Sequence, residues 1–297
     1  MAGKSIKIVF SGEDAVGSNV AAQLAQKFGF LKQEPLEEGG KSFENWLFES
    51  TRKNSVEKIF LIRVEERLST QLEYAAQLPG IFSAEMIFFA SRHRSESGTP
   101  CFTSHAPGNF TENSEFGGNP FELGTTNARA STCLLRWLKK NANNNLGEFG
   151  VFREATHHGP TSLAWPSVFC ELGSTEKEWV NKEAAGHVAE AIMFAAENYA
   201  KEEENFVFNK GKISVGFGGT HYCSKFSQLE FEGKNCFSPV ASKHVLDGIG
   251  KEAVGQAMEK TVEKIDEVLL DWKGTNQAQR EKLLKIFGEL GIGWKRV

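Results

Sequence analysis

Short apolar runs recur along this chain, and stretches with helical spacing lie between them. Ile6–Phe10, Ile59–Val64, Met86–Ala90, Phe149–Glu154, Val168–Leu172 and Lys212–Phe217 each read as a strand bounded by polar residues. Val16, Val20, Leu24 and Phe28 recur on one helical face after the turn Ser11-Gly12-Glu13-Asp14. Further helices are predicted over Thr126–Asn143, Asn181–Ala200, Glu252–Trp272 and Gln277–Leu290. Strands alternating with helices restrict the chain to an α/β fold with a mixed, largely parallel sheet flanked by helices. No shift in composition separates two halves, so residues 1–297 are expected to form one elaborated domain. The stretch Ser91–Gly124 lacks periodicity and reads as a long functional loop.

Charge narrows the function classes. Lys plus Arg number 34 against 38 Asp plus Glu, a net charge of −4, which excludes a protein that grips nucleic acid over its whole surface. A local basic face remains open to it. No run approaches the roughly 18–20 apolar residues of a membrane span, and the start is too polar for a secretory signal. Cys101, Cys133, Cys170, Cys223 and Cys236 are odd in number and contain no Cys-x-x-Cys pair, as expected in the reduced cytoplasm. Gly40-Lys41-Ser42 lacks the rest of a phosphate-binding loop, and Gly216-Phe217-Gly218-Gly219 is not a dinucleotide fingerprint, so no nucleotide cofactor is expected. No Gly-x-Ser-x-Gly elbow supports a serine hydrolase.

Three patches concentrate the unusual residues, each after a predicted strand. The first holds Arg92, His93, Arg94 and His105; the second runs Glu154-Ala155-Thr156-His157-His158-Gly159-Pro160; the third runs Gly218-Gly219-Thr220-His221-Tyr222. Five of the seven histidines lie here, which points to one shared site, with His187 and His244 outside it. If the strand continued through His158, alternation would put Glu154 and His158 on one face and His157 on the other. Among these residues His93, His105, His158 and Glu171 are candidate zinc ligands, although no compact ligand spacing is present. Arg129, Arg136 and Lys140 fall along one stripe of the helix near Thr126–Asn143 and form a candidate landing surface for a polyanion.

Together, SRHRSESGTPCFTSHAPGN at 91–109, EATHHGPT at 154–161, FCELGSTEKEW at 169–179 and GFGGTHY at 216–222 resemble the archaeal and plant type of D-aminoacyl-tRNA deacylase. The resemblance spans nearly the whole chain. It implies a fold similar to phosphorylase and peptidyl-tRNA hydrolase cores, tRNA and a D-amino acid as partners, and hydrolysis of the ester that joins them. It also implies action on D-aminoacyl adducts of small aldehydes, and zinc in some members. After GGTHY the family commonly has a proline and an arginine, where this chain has Cys223-Ser224-Lys225. On that footing His157 or His158 is the expected base, assisted by Glu154, and His221 the electrophile or leaving-group acid. The amides of Gly218 and Gly219 are expected to hold the oxyanion. Arg92, His93, Arg94, His105, Thr156, Thr220 and Tyr222 are expected to bind substrate, with Phe102, Phe110 or Tyr222 stacking on the terminal adenine. Competing readings are a peptidyl-tRNA hydrolase-like or metal-dependent amidohydrolase activity, and a tRNA-binding module without catalysis.

Overall fold

The computed structural model describes residues 5–50, 58–199, 208 and 210–297. Its strands are β1 (Ser5–Ser11), β2 (Leu31–Lys32), β3 (Leu36–Glu38), β4 (Lys41–Phe43), β5 (Asn45–Glu49), β6 (Lys58–Val64), β7 (Met86–Arg92), β8 (Cys101–His105), β9 (Gly150–Arg153), β10 (Ser167–Gly173), β11 (Lys212–Phe217), β12 (Asn235–Ala241), β13 (Glu267–Leu270) and β14 (Trp294–Arg296). Its helices are α1 (Ala15–Phe28), α2 (Leu68–Gln71), α3 (Pro79–Phe82), α4 (Ala128–Asn141), α5 (Glu176–Trp179), α6 (Lys182–Glu197), α7 (Ser224–Phe231), α8 (Lys251–Glu259) and α9 (Gln277–Leu290). The expected α/β class holds. Eight strands form a mixed sheet in the order β2-β5-β6-β1-β7-β10-β8-β9, and a second sheet runs β12-β11-β13-β14. The predicted helix over 181–200 ends at Glu197, and Ala200 lies outside the described residues.

The large sheet is mostly apolar at its centre because β1 is flanked on both sides by parallel strands, β6 and β7, with Lys7 the buried exception. Alternation along β10 sends Val168, Cys170 and Leu172 to the face covered by α1, α4 and α6, where they pack with Val20, Leu134 and Val188. Phe169 and Glu171 therefore point to the other face. β8 runs antiparallel to β10, pairing His105 with Phe169, and β9 runs parallel to β8. The histidine-bearing strands therefore do not all run in one direction, as a mixed sheet allows.

Two further expectations need correction. Ser91–Gly124 contains β8, five fully buried residues, so its first part is sheet rather than loop. Glu252–Trp272 is not one helix: α8 stops at Glu259 and β13 follows. Val268, Leu269 and Leu270 are buried in a parallel ladder beside β11, and so short an apolar run cannot be told from a buried helix by spacing.

Lys7 on β1 is buried and donates to the carbonyl of Ile81. Burial pushes its ammonium down to about 8, partly opposed by Glu38. Between about pH 8 and the ordinary lysine value the unfolded chain binds more protons than the folded one, so stability attributable to Lys7 rises across that window and is flat below it. Urea unfolding of wild type and Lys7→Met from pH 7 to 10.5 is expected to give a difference that shifts by roughly 2–3 kcal/mol in favour of wild type. A pH-independent difference would contradict this reading of Lys7.

Candidate active site

Where β9 ends, the backbone sends Arg153 toward α4 and Glu154 to the opposite face of the sheet. Glu154 then meets the third patch. Ala155 N–H donates to the carbonyl of His221 at 2.8 Å and Thr156 N–H to that of Val240 at 2.8 Å, so the chain after β9 joins the two sheets. The His221 ring reaches the Glu154 carboxylate, with Nε2 2.5 Å from Oε1, and His93 Nδ1 approaches the same oxygen at 3.1 Å. His93 Nε2 lies 2.9 Å from the Tyr222 hydroxyl. On β10, Glu171 accepts from Ser91 Oγ at 2.7 Å and lies 3.5 Å from His93 Nδ1 and 3.7 Å from His105 Nε2.

His157 and His158 were expected on opposite faces, but both turn to this centre. The chain has left β9 at Arg153, and His158 takes a left-handed conformation (φ 46°), which breaks strand alternation. Their ring centroids are 4.2 and 4.8 Å from that of His105. His157 Nδ1 lies 2.9 Å from the Ala155 carbonyl, His158 Nδ1 2.8 Å from that of Gly159 and His105 Nδ1 3.1 Å from that of Ala106. If each Nδ1 donates, His157 and His158 keep Nε2 lone pairs for the interior, while His105 Nε2 faces the Glu171 carboxylate.

The electrostatics separate the histidines. Burial, reinforced by His105, pushes His157 well down and His158 down to about 4, so both are neutral. Burial also acts against a charged His93, but the hydrogen bond to Glu171 and the charges of both glutamates prevail and raise it to about 10. His105 likewise rises against burial through Glu171. Glu154 and Glu171 are held below the usual carboxylate range, burial being outweighed by the histidines around them. His221 has 42% of its side chain exposed and is the member of the cluster most open to solvent.

Two cavities flank this centre and share His158. One, of about 210 Å³, is lined by Glu13, Asp14, Arg67, Leu68, Arg92 and Glu171 among others. Asp14 is fixed there, because Oδ1 caps α1 through Val16 and Gly17 while Oδ2 accepts from Arg92 N–H at 3.0 Å. The other, of about 660 Å³, is lined by Phe116, Phe121, Thr156, His157 and His244 among others.

Several expected substrate contacts are corrected by their surroundings. Gly218 and Gly219 cannot form an oxyanion hole, since their N–H groups donate to Ala241 and Gly274 carbonyls. Their positive φ values, 106° and 81°, mark them instead as the turn that delivers His221. His93 and His105 are buried inside the cluster rather than presented to a nucleotide. Arg92 and Arg94 are exposed, with the Arg92 guanidinium over the Trp179 ring at 5.2 Å. Thr156 accepts from Val240 N–H, Tyr222 is half-buried against His93, and Thr220 is exposed. Phe102 and Phe110 are core residues and cannot stack on a base.

The tRNA stripe on α4 also fails. Arg136 is buried, donating to the carbonyls of Glu230, Lys210 and Asn235. α4 packs on the face of the sheet opposite Glu171 and His105, Arg129 is half-buried, and Lys140 lies over the Phe208 ring. Thr103 was missed. Read as a strand, 101–105 would have placed it two positions from His105 on the same face.

Buried carboxylates clamping histidines beside two cavities mark a candidate active site in an α/β fold. The D-aminoacyl-tRNA deacylase family model matches residues 81–295. The D-aminoacyl-tRNA deacylase of Thermococcus kodakarensis is 33% identical over 98% of this chain and 100% of its own length. That of Methanocaldococcus jannaschii is 36% identical over 72% of this chain and 83% of its own. A crystal structure of a conserved protein described as of unknown function, AF0625, superposes with a TM-score of 0.83 at 26% identity, covering 100% of this chain and 96% of that one. The chain belongs to the D-aminoacyl-tRNA deacylase family.

Proposed function

We propose that this chain hydrolyses the ester of D-aminoacyl-tRNA, releasing free D-amino acid and tRNA, and that it does so in the cytoplasm, where charged tRNA is used. What carries the reading is the pairing of neutral His157 and His158, which line the larger cavity, with the Glu154–His221 contact beside them, the His221 ring centroid 4.9 Å from that of His157. An aminoacyl ester is already activated, so the site must supply a positioned water, a base and a proton donor. His157 or His158 takes the water proton. His221, oriented by Glu154 and open to solvent, donates to the departing ribose oxygen. His93 and Tyr222 hold Glu154 in place from the other side. The site draws on both sheets, which supports treating residues 1–297 as one unit. Among the described residues no helix is long and apolar enough to cross a membrane.

A zinc ion fits the donor set. His105, His157 and His158 offer ligand atoms within 4.8 Å of one another, as do His105, Glu154 and Glu171, and His93, Glu154 and His221. His105 Nε2 and Glu154 Oε2 are buried without a hydrogen-bond partner, which in a protein interior calls for one. Of the four expected ligands, His105, His158 and Glu171 face one another here, and with a metal on them His157 is the histidine whose Nε2 remains free to act as the base. When bound, Zn²⁺ supplies a positive charge that polarises the ester carbonyl.

The test is matched D- and L-aminoacyl-tRNA, with and without chelator. Hydrolysis of the D form alone, lost on chelation and restored by zinc, is expected. Equal hydrolysis of both, or of neither, overturns the reading, and release of N-blocked L-peptide from tRNA would favour a peptidyl-tRNA hydrolase.

A further inference from the structure

The small sheet carries an opening that the hydrolytic centre does not use. β11, β12 and β13 are parallel and end side by side at Phe217, Ala241 and Leu270. Ligands of parallel sheets collect outside such ends. A cavity of about 540 Å³ lies there, walled by Lys243 and His244 after β12 and by Lys273 and Asn276 after β13. Lys243 and Lys273 have no ion-pair partner among the described residues, and the carboxylate on this wall, Asp247, accepts from Gln279 Nε2 at 3.2 and 3.3 Å. α9 begins at the same place, adding the positive end of its dipole.

His244 lines both this cavity and the 660 Å³ one beside His157 and His158. The rim of that larger cavity bears two exposed phenylalanines, Phe116 at 62% and Phe121 at 44%. A continuous path therefore leads from the hydrolytic histidines over exposed aromatic rings to unpaired lysines. The 210 Å³ cavity on the other side is lined by the carboxylates of Glu13, Asp14 and Glu171, with Arg67 within 3.9 Å of Glu13. On the first side the two lysines stand apart from the acids Glu112 and Asp247. On the second, Arg67 and Arg92 are matched by three carboxylates, Arg92 N–H being bonded to Asp14, so the lysines are the cations left for a polyanion.

We propose that the single-stranded 3′ end of tRNA lies along this path. Its terminal base stacks on Phe116 and Phe121, the phosphates behind it rest on Lys243 and Lys273, and the aminoacyl group turns toward the acid-lined cavity. The proposal rests on the deacylase reading and replaces α4 as the tRNA surface. Stacking and a cationic track are the two means by which proteins hold unpaired strands.

The experiment compares wild type, Lys243→Ala/Lys273→Ala and Phe116→Ala on D-aminoacyl-tRNA and on 3′-O-D-aminoacyl-adenosine, which has the base and ester but no phosphate. All three replaced side chains are exposed, so the fold is retained. The double lysine variant is expected to raise KM for the tRNA roughly tenfold with kcat preserved, and to make the salt dependence of kcat/KM shallower by about 1.4 log units per log unit of salt. Its kinetics on the adenosine ester stay those of wild type. Phe116→Ala raises KM about fivefold or more on both substrates. Wild-type KM and salt dependence in the lysine variant, or an equal KM rise on the ester without phosphates, overturn the proposal while leaving the deacylase reading intact. A wild-type enzyme inert on both D substrates overturns both.

Discussion

Glu154→Gln is expected to lower kcat for D-aminoacyl-tRNA by about three orders of magnitude, with KM little changed. The side chain is fully buried, and a single oxygen, Oε1, meets both His221 Nε2 and His93 Nδ1. Glutamine keeps the volume and an acceptor oxygen for both ring nitrogens, but it removes the negative charge and puts an amide N–H₂ donor where Oε2 is buried without a partner. The charge that keeps His221 oriented as a proton donor disappears with it. Thermal unfolding of the variant should fall below wild type, since buried His93 loses one of the two carboxylates that hold its charge; single-turnover rates on the folded variant then isolate chemistry from binding. Near wild-type kcat would remove Glu154 from the mechanism, and a rise in KM alone would make it a substrate contact.

Much of this was legible before the coordinates. The strand-turn-helix opening followed from Ile6–Phe10, the Ser11–Asp14 turn and the helical spacing of Val16, Val20 and Leu24, because local patterning and tertiary burial agree there. α9 was predicted over its observed span, its N-cap Asn276 and C-terminal Gly291 being readable signals. The five clustered histidines do converge. What stayed hidden has physical causes. β8 lies in a stretch whose Gly, Pro and Ser content masks five buried residues, so neither its direction nor Thr103 could be read. Arg136 sits on a polar-looking stripe, yet three backbone carbonyls from distant segments bury it, and helical spacing cannot see them. Gly218 and Gly219 fit an oxyanion hole by composition; only the ladder to Ala241 and the contact with Gly274 reveal that their amides are occupied. Lys243 and Lys273 are 30 residues apart in sequence and meet because two parallel strands end together.

The largest loss of stability is expected from breaking the ion pair between Arg153 and Glu230. Both are buried, at 1% and 0% exposure, with Nη2 2.6 Å from Oε1 and Nε 3.1 Å from Oε2. The pair is embedded in further bonds: Arg153 Nη1 donates to Ser131 Oγ, and Glu230 accepts from Thr132 Oγ1 at 2.6 Å and from Phe237 N–H at 3.2 Å. Glu230→Ala leaves a guanidinium buried without its counter-charge, a loss of about 3–5 kcal/mol in urea unfolding. Arg153→Met strands the carboxylate and should cost a similar amount. The double variant Arg153→Met/Glu230→Leu is expected to be more stable than either single one, since no unpaired charge remains. Additive losses in the double variant would contradict this account. The pair also has a bearing on catalysis. It clamps β9 of the large sheet to α7, which follows directly on His221 and Tyr222, while the next residue along the chain from Arg153 is Glu154. The 2.5 Å contact between Glu154 and His221 is thus spanned on its far side by a buried ion pair joining the same two segments. Folded Glu230→Ala enzyme should therefore lose kcat as well as stability, although Glu230 touches neither the histidines nor the cavities.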